Sequence, residues 1–214
     1  MMRYVVILLA LLGGCASRQT SDASANAPLS AEARQVQAEL AKWPRPKDPV
    51  KGLERPFRTT IQIAGKTTKA HGVLKYYGAR DCRLTVVTET GSPLIDARMN
   101  WVGVTVLGHA PKIKAEVISM LVRDLSAMFV LPTDVSNLRV VREGWVLRRD
   151  SGDGTSVWYT FSPKTARLLK QEIVYGMFDT LRIVYKSYTP AGWPRELTMS
   201  RAARLYWIEI TFVD

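Results

Sequence analysis

The sequence predicts an α+β chain in which antiparallel strands dominate. From Arg58 onward, short runs rich in Val, Ile, Thr and aromatic residues alternate with polar ones and are cut by glycine turns. Only two segments, residues 30–43 and 112–131, repeat apolar residues at helical spacing. About ten strands in one domain of this size either stack as a sandwich or curl toward a barrel, with the second helix over an open face or end.

The elements follow in chain order. Arg3 precedes an apolar run over residues 4–12. That run is too short for a membrane-spanning helix, which needs roughly 20 apolar residues, and suits a signal peptide. It ends in Leu12-Gly13-Gly14-Cys15, a lipobox-like sequence that makes residues 1–14 a lipoprotein signal and Cys15 the acylated anchor. Residues 15–29 are small and polar, a flexible tether. A single domain is expected over residues 30–214. Its first helix, 30–43, opens at Ser30 and carries Val36, Leu40 and Trp43 on one side. Pro44, Pro46 and Pro49 forbid its continuation.

Strands are expected near 58–64, 67–77, 82–89, 94–107, 138–149, 155–162, 166–177, 180–188, 195–201 and 204–213. Gly65-Lys66, Tyr77-Gly78-Ala79-Arg80, Thr90-Gly91-Ser92-Pro93 and Ser151-Gly152-Asp153-Gly154 suit tight hairpin connections. Between the two strand groups, Val117, Ile118, Leu121, Leu125, Met128 and Phe129 mark the helix over 112–131, with Pro111 near its start and Pro132 at its end.

The formal net charge is +11. An exported, acylated chain rarely meets nucleic acid, so this charge points to a solvated face or to anionic headgroups. Lys66, Lys69, Lys75, Arg80, Arg83 and Arg98 are spread singly along strands rather than gathered in a block. Parts for catalysis are few. His71 and His109 do not stand at metal-ligand spacing, so no metal site is expected. Cys82 has Asp81 beside it, which opposes thiolate formation. No Gly-x-Ser-x-Gly elbow or phosphate-cradling loop occurs. A non-enzymatic chain without cofactor is the expectation. An envelope enzyme would require His71, His109 or Cys82 to meet carboxylates in one cleft.

Large apolar side chains are the chain's surplus. Strand alternation puts Leu74, Tyr76, Met99 and Trp101 on one face, joined by Trp145, Tyr159, Tyr175 and Ile183. Leu121, Leu125 and Phe129 come from the helix. The same residues serve either a packed core or the lining of a hollow for an acyl chain. A hollow points to a monomeric lipid-binding or transfer module. A filled interior points to a structural or assembly lipoprotein that docks an envelope protein or glycan, through an exposed apolar patch and the basic outer face.

The Leu12-Gly13-Gly14-Cys15 box, the N-terminal helix, four antiparallel strands, a helix inserted after Leu94-Ile95-Asp96-Ala97-Arg98-Met99-Asn100-Trp101, and the second run of strands together resemble the LolA/LolB family of lipoprotein carriers. Residues 94–111 look most like a LolB-like branch of outer-membrane lipoproteins. The resemblance implies an open antiparallel β-barrel, or half-barrel, of about ten or eleven strands with a helical lid. It implies that the hollow holds acyl chains of a lipid or lipoprotein, with a periplasmic protein as a possible partner. Ala16 after Cys15, rather than Asp, implies placement on the periplasmic face of the outer membrane. The exposed leucine that the LolB family uses for membrane insertion corresponds to Leu94.

Overall fold

The computed structural model describes residues 28–43, 51–63, 65–78, 81–100, 102–201 and 206–213. The expected signal, Cys15, the tether up to residue 27, Arg80 and Trp101 lie outside the described residues. The first helix, α1 (Ala31–Ala41), begins where Ser30 accepts a hydrogen bond from the Ala33 amide at 3.1 Å, satisfying one of the free N–H groups of the first turn. Ala33, Val36 and Leu40 form its buried side.

A first meander comprises β1 (Leu53–Ile63), β2 (Lys66–Gly78), β3 (Asp81–Thr88), β4 (Pro93–Met99) and β5 (Val104–His109). The second helix, α2 (Ala115–Ala127), follows. A second meander then runs through β6 (Arg139–Val141), β7 (Gly144–Asp150), β8 (Ser156–Phe161), β9 (Leu168–Val174), β10 (Thr180–Tyr188), β11 (Pro194–Arg201) and β12 (Tyr206–Phe212). Antiparallel pairing of β1 with β12 joins the meanders into one 12-stranded sheet, ordered β5-β4-β3-β2-β1-β12-β11-β10-β9-β8-β7-β6. The sheet is open, with β5 and β6 as its edges. α2 belongs to the connection between those edges and packs on β3, β4 and β5. The architecture is the expected open half-barrel with a helical lid.

The strand total exceeds the expected ten or eleven because two long runs fold back on themselves. The expected strand 94–107 breaks at Asn100, whose side-chain oxygen accepts from the amides of Val102 (2.9 Å) and Gly103 (3.2 Å), while Gly103 takes a φ of 151°. This Asx-type turn makes β4 and β5 a hairpin. The run 138–149 likewise divides at Arg142-Glu143, where Gly144 has a φ of 146° and a Cβ there would lie 2.7 Å from the Phe161 carbonyl oxygen.

Alternation places Phe57, Leu74, Leu84, Ala97, Leu147 and Ile208 on the buried inner face. The outer face is polar, and three of its cations are paired across strands. Arg83 grips Asp96 at 2.8 and 3.0 Å, and Lys75 reaches Glu54 at 2.6 Å. Arg98 lies 3.6 Å from Asp81. Of the dispersed positive charge read from sequence, Lys75, Arg83 and Arg98 are thus part of a solvated, ion-paired surface.

The two ends of the half-barrel differ. At the end where β9 begins, aromatic side chains from α1, the sheet and the segment after α2 pack together. Phe129 stacks on Tyr76 with ring centres 4.3 Å apart. Trp43 meets Tyr185 at 5.7 Å and Trp193 at 6.1 Å. Three inner-face polar groups meet carbonyls at the C-terminal end of α2 and in the segment just after it. Tyr159 donates to Val130 at 2.9 Å and the Gln171 amide donates to Ala127 at 3.3 Å. The Tyr185 hydroxyl donates to Gln171 Oε1 at 2.9 Å and lies 3.3 Å from the Met128 carbonyl. The last residue of α2 and the segment after it therefore plug this end.

Candidate functional site

At the opposite end the interior is not filled. A cavity of about 660 Å³ lies between the β1–β2 hairpin, the start of β4, the connection after β5, and the first half of α2. Its walls are Ile61, Ile63, Leu94, Ile95, Pro111, Ile113, Val117 and Leu121, with Thr68 and Ala110 between them. Lys66, Lys112 and Lys114 complete the lining, and all three are exposed at its rim. The volume falls within the roughly 300–1,000 Å³ of small-molecule sites.

Local sequence explains the arrangement. Ile61 and Ile63 continue the inner-face parity of Phe57 and Thr59 beyond the packed core, and pair with Thr68 and Lys66. Ile113, Val117 and Leu121 recur at the helical period and present one apolar side, while Ile118, Val122 and Leu125 are buried on another. The partner positions on β2, Thr68 and Lys66, are exposed and supply no apolar bulk to fill the space.

Most of the expected cargo-contacting residues pack the interior instead of lining this cavity. Leu74, Tyr76, Met99, Leu125, Phe129, Trp145, Tyr159 and Ile183 are buried in the continuous core. Tyr175 lies just past β9, is 38% exposed, and covers the Arg201 guanidinium at 4.5 Å. Of the ten that fall among the described residues, Leu121 alone lines the cavity. Leu94, the expected membrane-inserting residue, is half-buried in the wall. The exposed apolar residues at this end are Met177 and Phe178 in the β9–β10 turn, 88% and 85% exposed. The ladder rows Ile63–Tyr206–Arg201–Leu181–Ile173 place that turn at the same end of the sheet as the lysine rim. Sequence reading missed Ile61, Ile63, Ile113 and the lysines. Their signal was inner-face parity running past the last large core residue into a lysine.

Beside the cavity, α2 is fixed by a buried ionic cluster. Asp124 is fully buried and accepts two 2.9 Å bonds from Arg201 Nη1 and one from the Tyr206 hydroxyl. Arg201 also donates from Nε and Nη2 to Asp179 at 2.8 and 2.6 Å. Burial pushes the Asp124 carboxyl above the usual carboxylate range, although Tyr206 and Arg201 pull it down. Burial and Asp124 likewise hold the Tyr206 phenol far up, and the Tyr175 phenol rises to about 12. A small recess of about 310 Å³ adjoins this cluster and includes Glu116 and Arg123.

Cys82, His71 and His109 do not share one cleft, and His71 borders a recess with Glu89 and Glu209. Cys82 is buried on the inner face, and burial, then Asp81, raises its thiol to about 12. His71 and His109 are both exposed. Among the described residues no cluster of three or more His, Cys, Asp or Glu could hold a metal. A larger recess, about 840 Å³, runs over the outer face of β1–β3. It carries Arg58, Lys69 and His71 together with Glu89 and Glu209, so its charges are mixed and its floor is the solvent side of the sheet. Among the described residues no helix is long and apolar enough to cross a membrane.

No protein-family model matches the sequence, and no curated protein matches it. Solved structures do resemble it. A LolA superfamily protein from Nitrosomonas europaea superposes with a TM-score of 0.55 at 9% identity, over 86% of this chain and 93% of that one. A DUF1329 family protein from Desulfovibrio piger gives 0.48 at 12% identity, over 87% and 92%. A domain assigned to outer-membrane lipoprotein sorting, from Vibrio parahaemolyticus, gives 0.44 at 11%, over 85% and 90%. The first of these carries the comparison: an open antiparallel half-barrel lidded by a helix, the LolA-like fold, is the fold of this chain.

Proposed function

We propose that this chain is an envelope lipoprotein that binds, and passes on, the acyl chain of a lipid or lipoprotein. The observation that carries the reading is the apolar cavity of about 660 Å³ left between α2 and the β1–β2 hairpin inside a LolA-like half-barrel. Burial of an acyl chain there would drive uptake at about 0.8 kcal/mol per methylene, and release would need only a tighter acceptor or a membrane. Tethering through Cys15 at the periplasmic face of the outer membrane belongs to the same reading. Membrane contact falls to Met177 and Phe178, which stand at the same end as the cavity, with Leu94 in its wall.

The full chain, purified from a lipid-rich host, is examined by native mass spectrometry and titrated with a fluorescent fatty acid. The expected result is a co-purifying lipid displaced by the probe, with probe binding lost on Ile113→Trp, which fills the cavity from a half-buried wall position. A clean protein mass with no probe binding would sink the carrier reading. A second reading, docking of an envelope protein, is favoured by the exposed pair Met177–Phe178. Under that reading Ile113→Trp is silent and Phe178→Ser abolishes capture of the partner.

A further inference from the structure

The rim of the cavity differs electrostatically from the ion-paired rows on the outer face of β2 to β4. Lys75, Arg83 and Arg98 on the outer face each stand within ion-pair distance of a carboxylate. Lys66, Lys112 and Lys114 have no such partner among the described residues, and no acidic side chain lines the cavity. Glu116, the acidic residue in the first turn of α2, lines the adjoining recess with Arg123 and Arg201, and that recess shares Ile63 and Val117 with the cavity. Three lysines thus border one apolar cavity, and no carboxylate in its lining answers their like charges.

Resting on the carrier reading above, we propose that the ligand is an acyl chain bearing an anionic headgroup, bound with the chain against Ile61, Ile63, Ile113 and Val117 and the head among Lys66, Lys112 and Lys114. The geometry divides the ligand into two parts. The apolar wall lies deep and the ammonium groups lie at the rim, where lysine stems cover apolar surface and keep their charges in water. An uncharged amphiphile, such as the N-acylated, diacylglyceryl-modified terminus of a lipoprotein, would fill the wall and leave three like charges unanswered. A phosphate or carboxylate at the chain's end answers them. Because the rim is wet, the preference is graded and weakens with salt.

The test places the full chain in phosphatidylcholine vesicles carrying a trace of phosphatidylglycerol, phosphatidylcholine or palmitate, each with a photoactivatable diazirine on the acyl chain. Labelling of the segment 110–121 is read by mass spectrometry. Phosphatidylglycerol is expected to label it roughly tenfold more than phosphatidylcholine at low salt, in keeping with the modest worth of each basic residue near an anionic lipid. The triple variant Lys66→Gln, Lys112→Gln, Lys114→Gln should lose that preference. The control Lys69→Gln, Lys164→Gln, Lys186→Gln, with the same change of net charge at other exposed sites, should keep it. Lysine-dependent labelling by palmitate would support the proposal with a carboxylate as the head; its absence beside strong phosphatidylglycerol labelling would support it with a phosphate. Equal labelling by both phospholipids, or a preference that survives the rim variant, overturns the proposal and leaves the carrier reading standing. No labelling of 110–121 by any probe overturns both.

Discussion

Arg201→Met removes the cation that two carboxylates share beneath α2. In the folded protein Arg201 is 9% exposed and makes two bonds to Asp124 and two to Asp179. Without it, Asp124 keeps only the Tyr206 hydroxyl and remains buried as a charge beside a second carboxylate. Stranding one member of a buried ion pair costs about 3–5 kcal/mol. For a domain of this size each kcal/mol lowers Tm by about 2–4 °C, so a drop of roughly 6–20 °C is expected. Asp124→Asn is the informative partner variant. It leaves Arg201 neutralised by Asp179, retains an acceptor for Tyr206, and gives up a charge whose desolvation is unfavourable, so its loss should stay below about 2 kcal/mol. The pH dependence has a definite sign. Because burial raises the folded-state pKa of Asp124, the native protein binds that proton more tightly than the unfolded chain. This group's contribution is fullest below the ordinary carboxylate pKa and is lost as pH rises through the raised value. The stability gap between wild type and Asp124→Asn should therefore widen as pH falls toward the carboxylate range. Urea and thermal melts of both variants give the answer. Arg201→Met melting within 2 °C of wild type, or above Asp124→Asn, would refute the reasoning.

Met177→Ser with Phe178→Ser should leave stability within about 0.5 kcal/mol, since both side chains are already in water. The same change should weaken sedimentation with phosphatidylglycerol vesicles by roughly tenfold or more, as each buried apolar side chain is worth about 1.5–3 kcal/mol; unaltered sedimentation would remove this turn from the membrane contact. Cys82, with its thiol raised to about 12 and buried, should resist iodoacetamide at pH 8 and react only after urea unfolding. Labelling of the native protein at a free-thiol rate would contradict the packing described for β3.

The fold was legible where one periodicity ruled. The helix expected over 30–43 is α1, the one over 112–131 contains α2, and every strand end from β8 to β12 lies within three residues of its sequence-based position. Legibility failed where a turn is made of residues that also favour strands. Asn100-Trp101-Val102-Gly103 reads as strand because Trp and Val outweigh one Asn, yet the Asn100 side chain closes the β4–β5 turn on two amides. The site was less legible than the fold. Alternation identifies the residues that point inward, but not which of them meet another side chain there. Tyr76 and Tyr159 were expected to face cargo, and they meet Phe129 and the Val130 carbonyl, because the segment after α2 enters the barrel and occupies that space. The smaller aliphatic side chains Ile61 and Ile113 were passed over, and they border the space left open.

The same asymmetry decides how the lid can move. Asp124 in the third turn of α2 is tied to β11 and β12, and the carbonyls of Ala127 and Val130 are tied to β9 and β8. Releasing this half would expose Asp124 and Gln171, both fully buried, and break bonds from several strands at once. The other half is held lightly. Its N-cap residue, Lys114, gives the first turn no side-chain hydrogen bond, Ala115 to Val117 are exposed or half-buried, and the preceding segment 111–114 runs over the cavity with two lysines in water. Opening therefore belongs to residues 110–117, hinged at the buried Ile118, rather than to α2 swinging as a unit. Amide hydrogen exchange distinguishes the two motions. Peptides covering 110–117 should exchange well before those covering 121–130, and acyl-chain probes should protect the first group and leave the second unchanged. Exchange of the whole of α2 in one cooperative step would mean that the buried cluster does not anchor the lid, and the division of the helix into a fixed plug and a movable flap would fall with it.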